Sequence, residues 1–174
     1  MKKLFELTQT GGWLTAGIDT QYKIHVEDDA LVLVFQESSS KWDWLFNFAG
    51  VCIPWRLAKK EIDLIVRGNL RKRKLVITGF SHGGMLAKYA HRHFADLFPH
   101  TVAFGSARDF FLPSKLTRYR YSCYTRVEAK GDIVTYLLPW FSKVGTVIKI
   151  GDDMRIGTEA HYASNYRRGL EYEL

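Results

Sequence analysis

The sequence predicts an α/β fold in which a mixed, mostly parallel sheet carries helices on its faces. Short apolar runs rich in β-branched residues alternate along the chain with longer segments of helical periodicity. The chain has 174 residues, 47% of them hydrophobic, which suits one core better than two. No linker rich in proline, glycine or serine divides it. We therefore expect a single domain over residues 1–174.

The elements of the first half follow from local patterns. Residues 22–27 alternate between apolar and polar side chains, which predicts a half-buried strand. The aspartates at 28–29 should turn the chain into a strongly buried strand over residues 31–35. Residues 57–67 repeat apolar side chains at helical spacing, so a helix is expected there.

The second half continues the alternation. The apolar run at residues 75–77 predicts a strand, and a helix with Leu86, Ala87, Ala90 and Phe94 on one face should follow it. Three more strands and a last helix are expected further on. They are placed at residues 101–105, 119–127 and 145–150, and after His161.

The strand at 75–77 leads directly into the sequence Gly79-Phe80-Ser81-His82-Gly83. A serine between two glycines, after a strand and before a helix, is the nucleophile elbow of α/β-hydrolases. The turn holds the serine Oγ at its apex, and the glycines have no Cβ to collide where strand and helix approach each other. The backbone N–H of His82 would point towards a carbonyl under attack. The pattern therefore predicts a nucleophilic serine.

A serine nucleophile needs a base and an acid, which in this fold class follow it in the chain. Of the six histidines, only His161 leaves room for an intervening strand and acid. Asp132 stands where the strand at 119–127 should end, so it is the preferred acid. The competitors are Glu128, Asp152 and Asp153, of which the last two look like a polar turn.

Beyond the elbow, the chain resembles the class 3, fungal-type lipases over about residues 22–166. The segments that carry this resemblance follow in the family's order. Residues 33–38 resemble the strand ending in F-R-G-[ST], and residues 42–47 the D-W-x-x-N segment. The elbow resembles G-x-S-x-G-G, and residues 102–108 the strand T-F-G-x-P-R. Residues 131–139 resemble the acid segment, and residues 159–166, with His161 and Tyr166, the histidine helix.

The resemblance implies roles for particular residues. Ser81 would be the nucleophile, Asp132 the acid and His161 the base. Ser38 would donate to an oxyanion together with the His82 N–H. The chain departs from the family at Gln36 and Glu37, which stand where it has arginine and glycine. A carboxylate pointing inward there would be unfavourable beside an oxyanion.

An aromatic stretch follows Ser38 and includes Trp42, Trp44 and Leu45. Its functional interpretation is a small lid or a wall that binds the acyl chain. Its structural interpretation is a helix packed on the core. Both remain open at the sequence level.

Charge and composition limit the partners. The formal charge of +7 could favour anionic lipid surfaces, but no nucleic-acid fold signature accompanies it. The basic run at residues 71–74 is expected to be a solvated loop. No Cys/His cluster has zinc-like spacing and no phosphate-binding loop is present, so we expect neither metal nor cofactor. Cys52 and Cys123 are expected to be buried thiols.

Together these features predict hydrolysis of carboxylic esters by a serine lipase or esterase with an ester or lipid substrate. Phospholipase A1 activity is the next choice, and a degenerate hydrolase that only binds is the non-enzymatic one. The N-terminus lacks a sustained apolar stretch, and no run approaches the roughly 20 residues that span a bilayer. A cytoplasmic location is therefore expected.

Overall fold

The computed structural model of the chain describes residues 1–17, 20–37, 52–108, 121, 123–137, 144–152 and 156–172. Within these ranges seven strands form one sheet, in which the order across the sheet equals the order along the chain. The strands are β1 (Leu14–Ala16), β2 (Thr20–Val26), β3 (Ala30–Phe35), β4 (Lys74–Phe80), β5 (His100–Phe104), β6 (Tyr124–Ala129) and β7 (Thr146–Ile150).

The sheet is mixed and mostly parallel, as the sequence predicts. β1 pairs with β2 and β2 with β3 in antiparallel fashion, whereas every pair from β3 to β7 is parallel. The register sets Phe35 of β3 beside Gly79 of β4, and Phe80 of β4 beside Phe104 of β5. The carboxyl ends of five parallel strands therefore meet at one edge of the sheet, the usual place for a site in this architecture.

Four α-helices cover the two faces of the described sheet. They are α1 (Lys2–Gln9), α2 (Cys52–Leu70), α3 (His82–His93) and α4 (Ala163–Tyr172). One core lies under α2 and α3, where alternate residues of β3 and β4 are buried. A second core, on the other face, joins Phe5 of α1 to Leu170 of α4. Each face of the sheet thus buries its own set of alternate side chains.

Several element boundaries differ from the sequence prediction. Helix α2 is longer than expected, because it begins at Cys52 and ends at Leu70. Strand β6 begins only at Tyr124 and continues to Ala129, two residues past the predicted end. Helix α1 and strand β1 were not predicted. Both are too short for hydrophobic periodicity to reveal.

The expected alternation in β2 is wrong in part. Lys23 is buried and Val26 is exposed, the reverse of the simple polar and apolar pattern. The Lys23 ammonium donates hydrogen bonds to Thr10 Oγ1 and to the carbonyls of Thr10 and Gly11, at 2.6 to 3.3 Å. Burial lowers the pKa of Lys23. These tertiary hydrogen bonds override the local pattern.

The cysteine prediction also needs correction. Cys123 is exposed, because it lies in the turn immediately before β6. The side chain of Cys52 lies outside the described residues. The basic run at 71–74 is a turn entering β4, with all but Arg73 exposed, as predicted.

Candidate active site

The turn after β4 has the strained geometry predicted for a nucleophile. Ser81 adopts φ +55° and ψ −117°, a conformation that residues with a side chain rarely adopt. Its N–H donates to the Phe104 carbonyl at 2.9 Å, which ties the turn to β5. Helix α3 begins at the next residue, His82. The serine therefore stands at the positive end of the helix macrodipole.

The two glycines of the motif are needed for close packing. A Cβ on Gly79 would collide with the Gly83 backbone. A Cβ on Gly83 would stand 2.5 Å from the Phe35 carbonyl oxygen and 2.7 Å from that of Gln36. The strand and the helix of the elbow thus approach each other closely, as the glycines predict, and the turn also packs against the end of β3.

His161 joins the serine to the aspartate. Its Nε2 lies 2.8 Å from Ser81 Oγ, and its Nδ1 lies 2.8 Å from Asp132 Oδ2. An ionised carboxylate only accepts hydrogen bonds, so Nδ1 carries the proton and Nε2 is left to accept one from the serine. The ring stacks on Phe80 with the centroids 5.1 Å apart, and its side chain is 18% exposed. One ring nitrogen thus contacts Ser81 Oγ, while the other contacts the buried Asp132 carboxylate.

Asp132 is fully buried and accepts three hydrogen bonds. It caps the short 3₁₀ helix Ile133–Tyr136, with the Val134 N–H donating to Oδ1 at 2.9 Å. Oδ2 accepts from His161 and, at 2.5 Å, from the Tyr166 hydroxyl. A buried carboxylate needs such partners to remain ionised.

Tyr166 is the part of this site that sequence reasoning left without a role. It is fully buried on α4. Burial, together with the negative charge of Asp132, raises its pKa well above the usual value, so the hydroxyl stays a donor. Its place within the segment that resembles the family's histidine helix was the one available signal.

The two competing acids that the structure describes, Glu128 and Asp152, do not contact His161. Glu128 is buried but pairs with Arg126 and Lys149, and Asp152 is an exposed residue in the bend after β7. Asp153 lies outside the described residues. Of the described candidates, Asp132 is the carboxylate that contacts His161.

The segment after β3 is described as far as Glu37. Burial raises the pKa of the Glu37 carboxyl, although much of the residue is exposed. A positive charge on His161 opposes this rise, so the two groups are close enough for their charges to interact. Ser38, Trp42, Trp44 and Leu45 lie outside the described residues, and their predicted roles stay predictions.

Fold and site geometry together define an α/β-hydrolase fold with a strained serine after its central strand. The structure is similar to that of a deletion mutant of Rhizomucor miehei lipase in its propeptide complex, at 20% identity and a TM-score of 0.69. That match covers 82% of this chain and 55% of the lipase.

Two other solved structures give the same result. A lipase from Rhizopus microsporus var. chinensis is 17% identical with a TM-score of 0.67, covering 87% of this chain and 65% of that one. A mutant of MDLA from Penicillium cyclopium is 20% identical with a TM-score of 0.65, covering 90% and 70% respectively. The predicted likeness to class 3 lipases is thus confirmed for the fold.

The likeness has limits in length and in sequence. The chain spans 55% to 65% of the length of the Rhizomucor and Rhizopus lipases named above. No protein-family model matches the sequence, and the comparison with curated proteins finds no match. The fold is therefore shared without close sequence similarity.

The described ranges lack two further features. None of the helices there combines the length and apolar character that crossing a bilayer requires. No three histidine, cysteine or acidic side chains of those ranges gather as a metal-ligand set. The cytoplasmic location expected from the sequence stays a prediction.

Proposed function

We propose that this protein is a serine hydrolase of carboxylic esters that works through an acyl-enzyme. The hydrogen-bonded series Ser81–His161–Asp132, with 2.8 Å at each contact, is the observation that carries the proposal. The strained turn at Ser81 adds to it, because such backbone strain is kept where function requires it.

The first half of the reaction forms the acyl-enzyme. Ser81 Oγ attacks the ester carbonyl carbon while its proton moves to His161 Nε2. Asp132 holds the imidazole orientation and stabilises the imidazolium. The carbonyl oxygen, now negative, accepts from the His82 N–H and from Ser38, the two donors predicted from the sequence.

The second half releases the acid. His161 gives its proton to the leaving alkoxide as the carbon–oxygen bond breaks, and the alcohol departs. A water molecule then attacks the acyl carbon and gives its proton to His161. Collapse of the second tetrahedral intermediate returns that proton to Ser81 Oγ and frees the carboxylic acid. The protein needs no cofactor for these steps.

The substrate class is part of the proposal. The solved structures that share this fold include lipases, which favours esters with an acyl chain. We propose carboxylic esters with an unspecified acyl chain, as a lipase or an esterase would cleave, as the first choice. Phospholipids cleaved at the first acyl position come next. Comparing rates below and above the micellar concentration separates these choices, since a lipase accelerates at an interface.

The decisive experiment uses nitrophenyl esters and a fluorophosphonate probe. We expect hydrolysis and covalent labelling by the wild type, both lost in Ser81→Ala. A triad member typically contributes several orders of magnitude, roughly 10⁴ to 10⁶ in turnover. Equal inactivity and no labelling in a folded wild type would overturn the proposal and favour a binding module.

The matched control is His93, a second histidine with a 2.8 Å contact to a carboxylate. His161→Ala should abolish turnover, whereas His93→Ala should retain it, because His93 pairs with Asp63 between α2 and α3. Activity should also survive a chelator. Loss of activity that added metal restores would contradict the mechanism.

A further inference from the structure

A buried charge pair that the proposed chemistry does not use lies beside the site. Arg126 and Glu128 alternate along β6 and point to the same face of the sheet. Their side chains are 1% and 0% exposed. Burying two charges carries a large desolvation penalty that their mutual attraction often fails to offset. Stability alone is therefore a weak reason for a protein to contain such a pair. The other hydrogen bonds of Arg126 and Glu128 indicate what else the pair does.

The guanidinium holds a loop. Arg126 Nη2 donates to the Ser106 carbonyl at 2.6 Å, and Nη1 donates to the Ala107 carbonyl at 3.1 Å. Two donors from one planar group fix two successive peptide units, which an ammonium group could not do with the same geometry. Both carbonyls belong to residues 105–108, which follow β5 and are called the β5 loop below.

The guanidinium is itself held from the other side. Glu128 Oε1 accepts from Arg126 Nε at 3.1 Å, and Oε2 accepts from Lys149 Nζ at 2.7 Å. Lys149 faces Glu128 in the register of β6 and β7, and its side chain is 35% exposed. The network Arg126–Glu128–Lys149 therefore runs from the β5 loop to the protein surface.

The β5 loop touches the base and the elbow helix. A Cβ on Gly105 would stand 3.0 Å from His161 Cε1 and 3.1 Å from the Tyr166 hydroxyl. The Ser106 Cβ lies 3.0 Å from the place a Cβ on Gly84 would occupy in α3. The loop backbone thus packs beside the His161 ring and beside the first turn of α3, which follows Ser81.

The same loop reaches the acid. Arg108 Nε donates to the Thr135 carbonyl at 3.4 Å, and Thr135 Oγ1 donates to the Asp132 carbonyl at 2.9 Å. A shift of the β5 loop would therefore change the positions of Ser81, His161 and Asp132 together.

We propose that the Arg126–Glu128–Lys149 network is a positioning device, which fixes the β5 loop so that Ser81, His161 and Asp132 keep their hydrogen-bonding geometry. The inference rests on the proposed esterase function for its kinetic test. Small displacements of reacting groups lower turnover strongly, by as much as about a hundredfold for 1 Å. Substrate binding need not change.

The test compares Glu128→Gln and Lys149→Met with the wild type. Glu128→Gln is nearly isosteric but leaves Arg126 without its counter-charge. We expect kcat to fall on the order of tenfold to a hundredfold, with KM within about twofold. Lys149→Met removes only the half-exposed end of the network, so it should fold, and its kcat should fall about two- to fivefold.

The control is Arg67→Met, which breaks the exposed contacts of Arg67 with Asp63 and Asp96 away from the site. Its melting temperature should fall while its kcat stays unchanged. If Lys149→Met and Glu128→Gln both keep the wild-type kcat in folded samples, the inference is wrong. If Glu128→Gln does not fold, Lys149→Met alone decides.

A second readout separates this inference from the proposed function. The proton on His161 Nδ1 gives a far-downfield NMR signal when it is hydrogen-bonded to a carboxylate. We expect that signal to move or broaden in Glu128→Gln and to stay in place in Arg67→Met, whether or not the protein hydrolyses esters. An unmoved signal in Glu128→Gln would overturn the inference, whereas an inactive wild type with a moved signal would overturn only the esterase.

Discussion

Among the described residues, two histidine–carboxylate pairs have the same 2.8 Å contact and very different surroundings. His161 contacts Asp132, which is fully buried and accepts hydrogen bonds from two further donors. The second ring nitrogen of His161 contacts the strained Ser81. His93 meets Asp63, whose side chain is 26% exposed, between α2 and α3. A histidine–carboxylate pair alone therefore does not define a candidate site. The candidate site also requires a buried carboxylate and a serine hydroxyl in contact with the second ring nitrogen.

Electrostatics separates the pairs as well. Burial raises the pKa of Asp63, but hydrogen bonds from His93 and Arg67 outweigh it and hold the pKa below its usual value. Asp96 has a lowered pKa because it also accepts from Arg67. These are the properties of a partly exposed ion-pair network that joins two helices. The buried pair is instead completed by Tyr166, a neutral donor.

The largest expected effect breaks the buried pair. Asp132→Asn is nearly isosteric but favours the wrong imidazole tautomer, so kcat should fall about 10⁴-fold with the fold retained. The matched change, Asp63→Asn, should leave kcat within about twofold, since it touches no site residue. Ester hydrolysis and circular dichroism measure both. Near-wild-type activity of Asp132→Asn would mean that another acid serves His161.

Tyr166→Phe removes one donor from Asp132 and should have the next largest effect. A hydrogen bond to a charged group contributes about 1.5 to 3 kcal/mol, part of which would be lost from the orientation of the acid. We expect kcat to fall on the order of tenfold and the melting temperature to drop. Tyr172→Phe, an exposed tyrosine on the same helix, is the control. If Tyr166→Phe and Tyr172→Phe have equal kcat, the Tyr166 hydroxyl does not orient Asp132, and the ring contributes only to packing.

Glu37→Gln tests the charge that interacts with His161. Above its raised pKa the Glu37 carboxylate is ionised, and below it the carboxyl is neutral. Because this charge interacts with the charge that His161 carries when it holds the serine proton, kcat of the wild type should change as pH rises through the raised pKa of Glu37, whereas Glu37→Gln should lose that change. Glu171→Gln, at the far end of α4, should keep the wild-type pH–rate profile. An unchanged profile in Glu37→Gln would contradict the interaction between Glu37 and His161.

The smallest effect concerns the exposed pair. Because Asp63 and Asp96 have lowered pKa values when folded, their stabilisation is present above the ordinary aspartate pKa of about 3.9. It is lost as pH falls through the lowered values. Arg67→Met should therefore lower the free energy of unfolding at pH 7 by roughly 0.2–1 kcal/mol per lost pair, and by less near pH 3. Urea unfolding at both pH values measures this. An equal loss of unfolding free energy in Arg67→Met at both pH values would show that the stabilisation does not depend on ionisation of Asp63 and Asp96.

Much of the architecture could be predicted from local pattern. Alternating apolar runs and helical segments predict the parallel sheet from β3 to β7, because periodicity directly reports which face an element buries. The spacing of glycines around Ser81 predicts the elbow, since only that spacing removes Cβ atoms where strand and helix touch. Elimination then points to His161 and, through chain order, to Asp132.

The exceptions are residues whose environment is set by distant parts of the chain. Lys23 is buried although the alternating pattern of its strand predicts exposure, because the carbonyls of Thr10 and Gly11 accept hydrogen bonds from its ammonium group. Cys123 is exposed, because β6 starts one residue after it. Thr10 lies 13 positions from Lys23 in the chain, and β6 begins where Tyr124 pairs with Thr101 of β5, so both causes depend on tertiary contacts.

The sequence by itself determined the class of fold, the strained serine turn and the residue types of the predicted triad, since each depends on spacing along the chain. Only the tertiary structure decided that Tyr166 completes the Asp132 shell and that Arg126 holds the β5 loop. These contacts join residues 34 and 20 positions apart through sheet register and helix docking. Their partners are chosen by packing in three dimensions, which no repeat or spacing in the sequence records.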